Sequence, residues 1–110
     1  MTKREKHKML QVFISIDSHA GALKISKHLV EKKLAACVQI LGPMTSIYRW
    51  KNNIEEEQEF LCLIKTKRDL FDKLKKEIKS LHPYEIPEII ALEYSEVDDR
   101  YHSWLIDSLQ

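Results

Sequence analysis

The chain has 110 residues, 44% of them hydrophobic and 32% charged, enough for one modest core and too few for two folded domains. Eighteen Lys and Arg stand against 17 Asp and Glu, a formal net charge of +1, so no bulk field draws the protein to nucleic acid or to an acidic membrane. Two glycines, Gly21 and Gly42, cannot build a dinucleotide fingerprint or a Walker loop, since both need several positions of close backbone approach.

Residues 1–8 are polar and basic and are expected to form a disordered tail, leaving 9–110 as a single domain. The apolar stretch from Met9 to Ile16 is too short for a membrane span and lacks the pattern of an export signal, so a cytoplasmic protein with no membrane partner is expected. Within it Leu10, Val12, Ile14 and Ile16 alternate on one face of a first strand, with Phe13 on the other. Asp17 or Ser18 can cap a helix over roughly 19–33, in which Ala22, Ile25, Leu29 and Lys33 follow helical spacing.

Residues 34–41 form a nearly continuous apolar strand that bends at Gly42-Pro43 and resumes from Met44 to Trp50. Lys51, Asn52 and Asn53 supply a turn into a third strand over 54–65, where Phe60, Cys62 and Ile64 alternate against Leu61 and Leu63. Cys37 and Cys62 lie far apart within apolar runs and read as reduced core thiols rather than a redox or metal pair.

Thr66-Lys-Arg-Asp69 has capping-box spacing ahead of a helical stripe of Leu70, Phe71, Leu74, Ile78 and Leu81. Pro83 and Pro87 keep the segment from His82 to Pro87 out of a helix. Residues 88–93 read as a fourth strand, and Asp98 caps a last helix with Tyr101, Trp104, Leu105 and Leu109 on one side.

This order predicts an α+β fold, a ferredoxin-like βαββαβ sandwich with both helices on one sheet face, an extended hairpin between strands two and three, and a C-terminal helix. Strand two spans roughly 50 Å at about 3.3 Å per residue, against roughly 22 Å for the first helix, so the hairpin overshoots its cover. A bare apolar sheet face and a projecting ribbon rarely survive in a monomer, and a homo-oligomer is expected. The alternative is that the last helix folds back over that face.

The blocks Lys33-Leu-Ala-Ala-Cys-Val38, Thr45-Ser-Ile-Tyr48 with Trp50, Ile64-Lys-Thr66, His82-Pro-Tyr84, Pro87-Glu-Ile-Ile-Ala91 and Ser103-Trp-Leu105 resemble the CutA family of divalent-cation tolerance proteins over about residues 9–109. The resemblance implies a ferredoxin-like protomer in a homotrimer, a part in tolerance of copper and other heavy metals, copper binding in some bacterial members, and no agreed enzymatic reaction. In those members the proposed ligands are a strand-one Cys and a His-His pair. The matching positions here are Ile14, Leu81 and His82.

The candidate metal residues are therefore His82, as an imidazole ligand, and Glu88 as its orienting or ligating carboxylate. Tyr48, Trp50, Lys65, Thr66, Tyr84 and Trp104 are expected to wall a ligand pocket beside them. No cofactor is obligatory on this reading, and Cu(II) or another divalent cation is the expected ligand. A small-molecule-sensing or adaptor trimer like the PII signalling proteins is the alternative. An acylphosphatase-like enzyme is disfavoured because residues 15–21 supply neither the Arg nor the Asn that such a phosphate loop needs.

Overall fold

The computed structural model describes residues 8–110; of the expected basic tail over 1–8, all but Lys8 lies outside the described residues. The elements are β1 (Met9–Ile16), α1 (His19–Glu31), β2 (Cys37–Trp50), β3 (Asn53–Lys67), a 3-10 turn (Arg68–Leu70), α2 (Phe71–Leu81), β4 (Ile89–Glu93) and α3 (Asp99–Asp107). Ser18 starts α1, its hydroxyl accepting from the Gly21 N–H at 3.0 Å. Asp98 starts α3, its carboxylate accepting from the Tyr101 N–H at 3.1 Å. Both caps satisfy a backbone donor that the helix itself leaves open.

The strands form one antiparallel sheet in the order β2-β3-β1-β4. Cross-strand register decides which residues share a face, because neighbours directly opposite point the same way. Val12 faces Ile64, Ile14 faces Cys62 and Leu10 faces Thr66. This row is buried with Ala22, Ile25 and Leu29 of α1 and Leu74 and Ile78 of α2. Leu105 and Leu109 bring α3 to the same core.

The other row is left open. Phe13 lies opposite Leu63 and Ile90, Ser15 opposite Leu61, and Leu61 opposite Leu41; Leu41 is 56% exposed, Ile90 50% and Leu92 55%. The last helix leaves these three residues uncovered. Beyond it the β2–β3 ribbon runs out to a two-residue turn with positive φ at Lys51 and Asn52 between the paired Trp50 and Asn53, and the molecule is 45 Å long and 24 Å across. Ile47 and Ile54 on the ribbon are 70% and 63% exposed.

Three expectations are corrected. Thr66 caps no helix: β3 continues to Lys67, and the Thr66 hydroxyl donates to the Leu34 carbonyl at 2.7 Å inside the core. Cys37 is not a core thiol: it is half-buried and lies opposite Lys65 on the open face, whereas Cys62 is buried as expected, and desolvation raises its thiol pKa against a weak contact from the Ser26 hydroxyl. Tyr101 and Trp104 do not join Leu105 in the core but stack on each other outside it, 5.6 Å apart. Lys8 forms an ion pair with Glu93 at 3.1 Å, and its carbonyl accepts from the Arg68 N–H.

Candidate functional site

The register slips between Leu41 and Met44. Gly42 sits there at φ 151°, a conformation that favours glycine. The slip turns Met44, Ser46, Tyr48 and Trp50 to the side of Glu59, Glu57, Glu55 and Asn53, their cross-strand partners. That side continues the open face of the sheet, since Glu59 and Leu61 are two residues apart on one strand. Where the ribbon leaves the sheet, the segment between α2 and β4 crosses the same face and closes a cleft of about 580 Å³. Its walls include Tyr48 and Trp50 from the ribbon, Ser15 and Glu59 from the sheet, and Tyr84, Glu85 and Glu88 from the connection.

His82 builds this connection. Its ring is buried, with Nε2 donating to the Ser15 carbonyl at 2.8 Å and Nδ1 accepting from the Tyr84 N–H at 3.1 Å. The Ser15 carbonyl lies just past Ile14, the last residue of β1 paired with β4, so the imidazole serves a backbone acceptor beyond the end of the ladder. Tyr84 then meets the His82 ring edge-on at 4.6 Å and donates its hydroxyl to Glu59 Oε2 at 2.7 Å. Desolvation, the bond to Glu59, the carboxylates of Glu59 and Asp17, and the Tyr48 phenol all hold the Tyr84 pKa far above 10.0. The Tyr48 pKa is also raised, by desolvation and by Glu57, Glu55 and Glu59.

Of the residues expected at the site, Tyr48, Trp50, Tyr84 and Glu88 come together in the cleft, and His82 stands behind them as a positioning residue. Because both of its ring nitrogens are engaged, a cation at His82 must displace one of these two bonds. Lys65, Thr66 and Trp104 lie elsewhere. Lys65 is opposite Gln11 and donates to Gln39 at 2.7 Å, Thr66 points into the core, and Trp104 stacks on Tyr101. Adjacent strand residues point to opposite faces, so Lys65 and Thr66 cannot line one pocket.

Sequence reasoning missed Glu59, which is 6% exposed. The acidic run from Glu55 to Glu59 reads as a solvated ribbon, and only the Tyr84 partner marks its last member. With Glu85 and Glu88 it puts carboxylate oxygens, which suit hard and borderline divalent cations more than Cu(I), on the walls of one cleft. Among the described residues no three His, Cys, Asp or Glu side chains converge closely enough in one protomer to hold a metal ion.

The family described as CutA1 divalent ion tolerance protein matches residues 10–108. The divalent-cation tolerance protein CutA of Thermus thermophilus is 49% identical over 94 residues, covering 86% of this chain and 91% of that protein. Protein CutA of the mouse is 41% identical over 84% of this chain, which spans 52% of the mouse protein's length. The solved Cut A1 structure from T. thermophilus superposes with a TM-score of 0.90 at 45% identity, over 93% of this chain and 99% of that one. The CutA1 structure from Oryza sativa does so with a TM-score of 0.91 at 30% identity, over 94% of each chain. Sequence, sheet order and backbone agree: the chain belongs to the CutA1 divalent ion tolerance family.

Proposed function

We propose that this protein serves divalent-cation tolerance as a non-catalytic homotrimer that binds the cation at its acidic cleft. The observation that carries the reading is the open sheet face. Phe13, Leu41, Leu61, Leu63, Ile90 and Leu92 form one continuous apolar surface by register, and such a surface is stable in water only when another surface covers it. The cleft lies on that same face, so association through the face moves Glu59, Glu85 and Glu88 from a surface groove to a subunit boundary. There a second copy can add the donors that one protomer lacks. Cu(II) falls within the range of such a set, and Zn(II) and Mn(II) suit it as well.

Light scattering tests the assembly: a particle of three times 13.0 kDa is expected, and a stable folded monomer at micromolar concentration overturns it. Isothermal titration with Cu(II), Zn(II) and Mn(II) tests the site. The Glu85→Gln/Glu88→Gln double variant, both positions being exposed, is expected to bind more weakly than the unaltered chain. Identical heats from the two proteins refute cation binding at the cleft.

A further inference from the structure

A second cleft, of about 340 Å³, opens on the helix side of the molecule between the end of α1 and the flank of α2. Lys73, Lys76, Glu77 and Ser80 occupy positions i, i+3, i+4 and i+7 of α2, so they share one face, and that face meets Lys32 from the end of α1, with buried Leu34 and exposed Gln110 completing the walls. Three lysines thus line one small cleft. None of the three takes part in an ion pair among the described residues. Glu77, the carboxylate on the same wall, is held 3.2 Å from His28 Nε2.

The neutral contacts at this cleft hold its walls in place without neutralising them. Gln110 bonds the α1 end twice, its N–H to the Lys33 carbonyl at 3.0 Å and its Nε2 to the Lys32 carbonyl at 2.7 Å, while its Oε1 accepts from Lys73 at 3.5 Å. The carbonyl end of α1, which would repel an anion, is largely capped. Lys32 bonds His28, Lys33 bonds Val30, and Leu34 and Ala35 bond Leu29.

We propose that this cleft binds a small phosphate polyanion, an inorganic di- or triphosphate or the phosphate chain of a nucleotide. Ammonium groups act as point charges and suit clustered phosphoryl oxygens, whereas a planar carboxylate is better served by an arginine fork, which this cleft lacks. A volume of this size admits a phosphate chain and not a nucleic-acid strand, and the net charge of +1 supplies no long-range field for one. The site faces away from the open sheet, so it stays accessible when copies associate through that sheet.

Isothermal titration of the full chain with sodium triphosphate, in chelator-treated buffer free of divalent metal, tests this directly. Binding is expected at one site per protomer, weakening as salt is added. Lys73→Gln/Lys76→Gln should lower the affinity at least about ten-fold, equivalent to 1.4 kcal/mol, while Lys24→Gln/Lys27→Gln, a pair of exposed lysines of α1 outside the cleft, should leave it unchanged. All four positions are exposed, so circular dichroism should show both variants folded. Equal loss in both variants, no loss in the first, or no binding of triphosphate at millimolar concentration overturns the proposal. ATP and triphosphate binding with similar affinity support phosphate recognition, and ATP binding without triphosphate binding refutes it.

Discussion

Replacing His82 by Phe separates its positioning part from direct ligation of a metal. Phe keeps the ring volume and the edge contact with Tyr84, but removes the donor to the Ser15 carbonyl and the acceptor for the Tyr84 N–H. Both partners sit around a side chain that is 8% exposed, so water cannot readily replace the imidazole. Each buried polar group left unpaired costs about 1–3 kcal/mol, which places the total at roughly 2–6 kcal/mol, a large share of the 5–15 kcal/mol typical of a folded domain. Urea unfolding followed by tryptophan fluorescence at fixed protein concentration measures it. His82→Gln, which retains one donor and one acceptor, is expected to lose less. A His82→Phe protein of unchanged stability whose Cu(II) binding is abolished refutes the argument, because the imidazole would then be a ligand and not a strut.

Gly42→Ala is expected to destabilise by about 1–3 kcal/mol, since its Cβ would lie 2.6 Å from Phe60 Cδ1 and 3.0 Å from the Glu59 carbonyl at φ 151°; unfolding midpoints check it. Thr66→Val should cost about 1–3 kcal/mol by stranding the Leu34 carbonyl, and should leave cation titration unaltered. The Tyr84 phenol has a raised pKa in the fold, so its contribution is intact below pH 10.0, where the unfolded chain begins to ionise, and is lost as pH rises above that. Urea midpoints measured from about pH 8 upward should fall on the alkaline side, and Tyr84→Phe should flatten that fall.

The period-two patterns at Leu10 to Ile16 and at Phe60 to Ile64, and the stripe from Leu70 to Ile78, are local signals, and they sufficed for the strand and helix order and hence for the antiparallel sheet. They also showed that a ribbon would project and that one sheet face would lack cover, because a strand's length and alternation are written directly in its residues. The cleft was only half legible. Tyr48, Trp50, Tyr84 and Glu88 are legible as its walls; Lys65 and Thr66 are neighbours on one strand, so the same alternation already sets them on opposite faces, whereas the place of Trp104 depends on how the last helix packs. The slip between Leu41 and Met44 decides that Tyr48 shares a side with Glu59. The place where β4 stops pairing decides that His82 has a carbonyl to serve. Both are matters of register between segments distant in the chain, set by the packing of the whole sheet, and no short stretch of sequence holds them.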